Sequence, residues 1–216
     1  VSLNDTHTLS ELKTINNGTT GQITLTDYSV ALSGSSADVA AALDGSFAAQ
    51  YTGTASVSDA HTLDELKTIN NQTNNTITLT DYSVALTGST ADVKAALDGT
   101  FAAAYTGNVT LNDANNTNIT ATDITQIEGD TSGTITVSNT INIQGTAAEV
   151  AAAVDDVNTF SAAATAELSD AHTLAELKAI NNKLSGVLTL GSYTEALSGT
   201  SADVAAALDG TFAATY

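Results

Sequence analysis

Three histidines, His7, His61 and His172, each stand two residues after an aspartate (Asp5, Asp59, Asp170) and directly before a threonine. With Ser and Thr abundant nearby, these are the parts of a nucleophilic system in which a carboxylate orients an imidazole that takes a hydroxyl proton. Imidazole beside carboxylate is also a metal-ligand combination. The surrounding pattern offers a plainer role. One copy of the same segment has Ile119 in place of His, with Ile124 set into the following helix at the spacing of a hydrophobic staple. The matching partner of His61 is Leu66. A reaction centre has little reason to recur with every copy of a segment, so the expected role of the histidines is a partly buried staple, with a weak metal contact and catalysis as the alternatives. No catalytic residue is assigned.

A second set of candidates is Asp5, Asp27, Asp59, Asp81, Asp113 and Asp170, each at the end of a short β-type segment. If those segments stack, the carboxylates form a row interrupted by Asn139 and Ser192. Carboxylates about 5 Å apart repel by roughly 1 to 3 kcal/mol, so something must offset that repulsion. One reading is a cation, Ca²⁺ in particular, which takes six to eight oxygen ligands. The other is structural. Parity puts Asp59 on the same side as inward Val57, so the strand has ended there and the carboxylate accepts turn amides. No EF-hand loop and no Gly-Gly-x-Gly-x-Asp nonapeptide occurs, which favours the turn, and no cofactor is assigned. A third set, Thr24, Thr26, Thr78, Thr80, Thr134 and Thr136, could present an ice- or glycan-facing array. Alternate strands break that grid, and Thr on a solvated strand face follows from β propensity alone.

The composition limits the partners. Five Lys, no Arg and 24 acidic residues give 216 residues a net charge of −19, which argues against nucleic acid and anionic membrane surfaces. Leu, Ile, Val and Phe number 48, so the core must be thin and rich in Ala. Cys, Met, Trp and Pro are absent, excluding disulfides and thiolate metal sites. No apolar run approaches the ~18 residues that span a bilayer, so no membrane insertion is expected. The start at Val1 and the lack of Met suggest a piece of something longer.

The elements that must position these candidates come in repeats. SDAHTLDELKTINN at 58–71 returns at 4–17 and 169–182, and DYSVALSGSSADVAAALDGSFAAQYTG at 27–53 returns at 81–107 and, shortened, at 192–216. Asp27 recurs as Asp81 and Gly145 as Gly199, at one and the same interval. Four repeats follow, at about 1–54, 55–108, 109–165 and 166–216, in one domain over 1–216. The third has diverged and is slightly longer between Asp113 and Asp170.

Within a repeat, Ile23-Thr24-Leu25-Thr26, Ile77-Thr78-Leu79-Thr80, Ser56-Val57-Ser58 and Thr136-Val137-Ser138 alternate as half-buried strands do. Thr62 with Glu65 is a capping box, repeated by Thr8 with Glu11 and Thr173 with Glu176, and Leu63, Leu66 and Ile69 then share a helical face. A second helix starts at Ser35 with Asp38, buries Val39, Ala42 and Leu43, and is expected to close on Gly45 in a left-handed conformation. The first helix type is expected to end at Asn70-Asn71, where the divergent repeat has Gly129.

Helices of about nine residues and strands this short are unstable alone. The economical arrangement is a right-handed αβ solenoid of about eight strand–helix coils, its parallel sheet on one face and its helices on the other, each coil covering its neighbour. Strand-to-strand steps are expected to alternate between a short one, as from Asp59 to Asp81, and a long one, as from Asp27 to Asp59. The longer coil would carry an extra strand at Ser29–Leu32 and a turn around Phe47–Gly53. Eight coils would extend roughly 40 Å.

The segments TATDITQIEG (120–129), TSGTITVS (131–138) and GTAAEVAAAV (145–154) resemble the αβ-coil repeats of long, acidic, Cys-free bacterial surface and secreted proteins, especially those of marine cyanobacteria. The resemblance covers essentially the whole chain. It implies a non-enzymatic spacer, stalk, surface-layer or adhesin segment, extracellular or at the cell surface, whose partners are flanking repeats of the same protein. Truncated ends are expected to dock end to end. The alternative is a binding module for a glycan, a protein or Ca²⁺, its patch in the divergent repeat around 114–130 and 155–165.

Overall fold

The computed structural model describes all 216 residues as an α/β fold with eight helices and three parallel sheets. The helices are α1 (Leu9–Gly18), α2 (Ser36–Leu43), α3 (Leu63–Gln72), α4 (Thr90–Leu97), α5 (Ala121–Asp130), α6 (Ala147–Asp156), α7 (Leu174–Lys183) and α8 (Ser201–Leu208). The strands are β1 (Leu32–Gly34), β2 (Ala55–Val57), β3 (Ile77–Leu79), β4 (Leu86–Gly88), β5 (Val109–Leu111), β6 (Thr117–Thr120), β7 (Ile135–Val137), β8 (Ile141–Gly145), β9 (Thr159–Phe160), β10 (Thr165–Leu168), β11 (Val187–Thr189) and β12 (Thr211–Phe212). The chain divides into two units interleaved in sequence: Val1–Leu86 with Ala91–Asn108 and Asp130–Gly133, and Thr87–Thr90 with Val109–Gly129 and Thr134–Tyr216.

The first unit holds the sheet β1–β2–β3. Leu32 pairs with Ala55 and Ala55 with Ile77, and each of these steps contains one helix, α2 and then α3. Single bridges extend the pattern, Ser2 with Thr24, Ile23 with Phe47, Tyr51 with Thr73 and Ile77 with Phe101. The second unit holds β6–β8–β10–β11–β12 and the sheet in which β5, β7 and β9 follow β4. There Ile119 pairs with Ile143, Ile143 with Ala166 and Ala166 with Leu188, with α5, α6 and α7 in the successive intervals. Parallel pairing demands such crossovers, because a tight hairpin cannot bring two strands side by side in the same direction.

This register differs from the expected alternation of short and long steps. Ile23 pairs with Phe47 and Leu32 with Ala55, so the long step from Asp27 to Asp59 is not a pairing at all. Ile23 and Thr24 make single bridges only, to Phe47 and Ser2, and the first sheet opens further along the chain at β1. The extra strand lies at Leu32–Gly34, not Ser29–Leu32, and in the bent segment around Phe47–Gly53 Phe47 and Tyr51 each make a single bridge, to Ile23 and Thr73.

The core lies between strands and helices. Ala55, Val57, Ile77 and Leu79 alternate with more exposed residues, while Leu66 and Ile69 of α3 and Val39, Ala42 and Leu43 of α2 are buried as their spacing requires. Each such Leu, Ile or Val contributes about 1.5–3 kcal/mol. The capping boxes at Thr8, Thr62 and Thr173 form, and Thr146 with Glu149 makes a fourth.

The helix ends correct the sequence reading. No glycine has a positive φ; only Asn116 does, at 64°. α2 closes at Asp44 (φ −69°, ψ 27°), and α1 and α3 run on to Gly18 and Gln72 before extended Thr19 and Thr73. Gly45 is needed for a different reason: a β-carbon there would overlap the side-chain amide of Asn16. That amide, and its counterpart on Asn70, donates from Nδ2 to the neighbouring helix at Ala41 O and Ala95 O, both at 2.8 Å.

Candidate functional site

The three histidines are buried, and each ring makes one hydrogen bond, to a tyrosine 44 positions later in the chain. His7 Nε2 lies 3.0 Å from Tyr51 Oη, His61 Nε2 2.9 Å from Tyr105 Oη, and His172 Nε2 3.0 Å from Tyr216 Oη. Each tyrosine donates its single proton to a backbone carbonyl, Val30 O at 2.6 Å, Val84 O at 2.6 Å and Glu195 O at 2.7 Å. Its oxygen must therefore accept from the imidazole, which fixes the Nε2–H tautomer. The Nδ1 lone pair is then buried without a partner in all three rings.

Burial lowers the pKa of each imidazole, against the pull of nearby carboxylates: Asp27 and Glu11 at His7, Asp81, Glu65 and Asp59 at His61, and Glu195, Glu176 and Asp170 at His172. Burial likewise pushes the Tyr51 and Tyr105 hydroxyls up. A proton on Nδ1 would have no acceptor, so the rings are held neutral. No serine hydroxyl is bonded to them, so the nucleophile-to-base contact of a Ser-His-Asp system is not assembled.

Sequence reasoning found the histidines but not their tyrosines. The signal was present: the interval is constant, and the divergent repeat replaces both partners, with Ile119 at the His position and Ala164, shortly after Phe160, at the Tyr position.

The six aspartates fall into different settings. Asp27 accepts from Ser29 N (2.8 Å) and Ser29 Oγ (2.6 Å), and Asp81 accepts likewise from Ser83. These are Asx turns, and their hydrogen bonds hold both carboxyls below the usual range. Asp59, Asp113 and Asp170 act instead on the N-terminus of the helix that precedes each of them in the chain. Asp59 accepts from Ser36 N (2.7 Å), Asp170 from Ala147 N (2.7 Å), and the buried Asp113 from Thr90 N (3.0 and 3.1 Å) and Thr90 Oγ1 (2.6 Å). Asp5 is exposed and has no such helix before it. Because Ile23 bridges to Phe47 and it is Leu32 that pairs with Ala55, Asp27 and Asp59 are not neighbours in register, and the six do not form one continuous row. No group of three or more His, Asp or Glu is placed to hold a metal ion. Of the outward threonines, Thr26 and Thr80 donate to Leu3 O and Val57 O.

Between helices, Lys13 pairs with Asp38, Lys67 with Asp92 at 2.8 Å and Lys178 with Asp203 at 2.5 Å. In the divergent repeat the Lys position is Thr125, the Asn70 position Glu128 and the Gly99 position Asp156, so lysine, asparagine and glycine are all lost there. A groove of about 500 Å³ opens between α5 and α6, lined by Thr122, Thr125, Gln126, Ala148, Glu149 and Ala152. No helix is long and apolar enough to cross a membrane.

Comparison of the chain with protein-family models, curated proteins and solved structures gives no match.

Proposed function

We propose that this chain is a non-enzymatic structural segment, a spacer, stalk or surface-layer or adhesin region of a long extracellular bacterial protein, built as a right-handed αβ solenoid of about eight coils in four repeats. The observation that carries this reading is the recurrence of the same joints at the same intervals: His to Tyr, Asp to helix N-terminus, and Asn to the next helix's carbonyl. In this reading the polar groups with the capacity for chemistry are spent on holding one coil to the next. In such an array stability is a sum of neighbour interfaces, and the function is length, stiffness and an acidic, soluble surface. Small-angle scattering tests it: an elongated profile is expected, and a near-spherical one defeats the reading.

The second reading, a binding module for a glycan, a protein or Ca²⁺, is favoured by the groove between α5 and α6, where the repeat pattern of interhelical bonds breaks. A glycan-array screen comparing the chain with a version whose third repeat is replaced by the second distinguishes the two. Equal behaviour removes the glycan form of the binding reading.

A further inference from the structure

In three helix pairs a lysine crosses from the first helix to a carboxylate in the first turn of the second: Lys13 of α1 to Asp38 of α2, Lys67 of α3 to Asp92 of α4, and Lys178 of α7 to Asp203 of α8. One turn further on, Asn16, Asn70 and Asn181 donate to carbonyls of the second helix, at Ala41, Ala95 and Ala207. A glycine, Gly45, Gly99 or Gly210, leaves room for each amide. The charges in this joint balance, one cation against one carboxylate. The lysines are only part-exposed, because a four-carbon stem lies along the seam while its ammonium reaches the carboxylate.

The pair formed by α5 and α6 keeps the carboxylate and has lost the cation. Position by position, Thr125 stands for the lysine, Glu149 for the aspartate, Glu128 for the asparagine and Asp156 for the glycine, and neither helix carries a lysine. Three carboxylates thus replace a balanced joint. The seam that a lysine stem fills elsewhere is here the open groove between Thr122, Thr125 and Gln126 on one wall and Ala148, Glu149 and Ala152 on the other, lined mostly by carbon. Glu149 Oε2 accepts from Thr146 N at 2.8 Å, much as Asp203 Oδ2 accepts from Thr200 Oγ1 at 2.7 Å. The other oxygen of Asp203 takes Lys178. At Glu149 that second bond is missing. Asp156 follows seven residues on, along the same face of α6, and its Oδ2 is buried without a hydrogen-bond partner. Lys183 of α7 reaches Asp155 instead.

We propose that the groove between α5 and α6 is a docking slot for a lysine-bearing segment of a partner protein, which supplies from outside the cation that the other helix pairs supply from within. The lysine stem lies along the floor of small residues and its ammonium meets Glu149, repeating the bond from Lys178 to Asp203. Glu149 and Asp156 are separated by about 10 Å along the helix, which is about the reach of three extended residues. A second lysine in a Lys-x-x-Lys segment therefore arrives at Glu128 and Asp156. Charge complementarity selects this occupant: three carboxylates over an apolar floor attract an alkylammonium and repel an acidic or phosphorylated segment. Such an occupant rests on the binding reading of the same groove and gives that reading its partner class.

Titration of the isotope-labelled chain with the synthetic peptide acetyl-Lys-Ala-Ala-Lys-amide, followed by NMR, tests this. Millimolar peptide should shift amides within 122–128 and 148–156 and few others, and the shifts should weaken as salt rises. The same peptide with both lysines acetylated should shift nothing. Thr125→Lys, which refills the slot, should weaken binding about tenfold. Thr189→Lys makes the same change of charge at an exposed position on β11 and should weaken binding less than about twofold. Thr125→Lys should also raise the melting temperature, and Glu149→Gln, which keeps the capping bond, should erase that rise. No shifts, shifts scattered over the acidic surface, or equal weakening by the two lysine variants overturns the proposal. A glycan hit lost on exchange of the third repeat, with no peptide binding, defeats the lysine slot and leaves the binding reading standing. Absence of both, with no binding of Ca²⁺, defeats the two together.

Discussion

Tyr105 takes a hydrogen bond from His61 at 2.9 Å and gives its own proton to the carbonyl of Val84 at 2.6 Å. The tyrosine is the central member: remove it and two groups lose their partner, whereas removing the histidine costs the tyrosine only one of two bonds. The same arrangement at Tyr51 and Tyr216 makes the relay a standard joint of this chain.

An asymmetry between two substitutions follows. Tyr105→Phe strands His61 Nε2–H and Val84 O and should cost about 2–4 kcal/mol, while His61→Leu leaves the Tyr105 to Val84 bond intact and should cost about 1 kcal/mol. In the double variant the histidine no longer has a bond to lose, so its cost should fall below the sum of the two. Urea unfolding of the four proteins measures this. A larger cost for His61→Leu than for Tyr105→Phe would reverse the assigned roles.

The buried imidazoles also set a pH dependence. In the unfolded chain they titrate near about 6.5, and in the native chain burial places all three lower. As pH falls below about 6.5 the unfolded state therefore takes up protons that the native state does not, and stability drops until the native rings protonate as well. A second loss begins below about pH 4, where in the unfolded chain Asp27, Asp38, Asp81 and Asp203 take up protons that their native hydrogen bonds keep off. Melting temperatures should be flat above about pH 7 and fall in two stages below it. The variant with leucine at positions 7, 61 and 172 should lose the first stage and keep the second.

Local chemistry was legible in the sequence and register was not. The capping boxes at Thr8, Thr62 and Thr173, the buried faces of α2 and α3, and the strands at Ala55–Val57 and Ile77–Leu79 follow from spacings within a single element. Which strand pairs with which depends on chain that lies beyond an intervening helix. The interval of the repeat hides the interval of the pairing, because the first is not a multiple of the second. Aspartates that look equivalent by repeat therefore divide between Asx turns and helix caps. At Gly45 the sequence points to a left-handed cap, the commonest use of glycine at a helix end, whereas the constraint is the Asn16 side chain from another helix.

That constraint recurs at Gly99, where a β-carbon would overlap the side-chain amide of Asn70. Gly99→Ala should cost about 1–3 kcal/mol by displacing the amide from Ala95 O. Adding Asn70→Ala should cost less in that background than in the parent chain, since the displaced amide has already lost its bond. Thermal unfolding of the set checks it. Additive effects would show that the two residues do not press on each other.

Asp5 and Asp113 hold the same place in the repeat, yet only one has a helix to cap. Asp113 is buried against the Thr90 amide and hydroxyl, so Asp113→Ala leaves two donors without a partner and should cost about 2–4 kcal/mol. Asp5 is exposed with no such helix beside it, so Asp5→Ala should change the stability of the monomer by less than about 0.5 kcal/mol. If instead these carboxylates served a cation, both substitutions would weaken the same binding event, and stability would rise with millimolar Ca²⁺ by mass action. Amide donors already occupy Asp27, Asp59, Asp81, Asp113 and Asp170, which leaves little carboxylate free to replace the six to eight oxygens that Ca²⁺ requires. Calorimetric titration of chelator-treated protein should therefore give no saturable heat. A saturable signal abolished by Asp113→Ala would mean that the amide contacts are the apo form of a cation site.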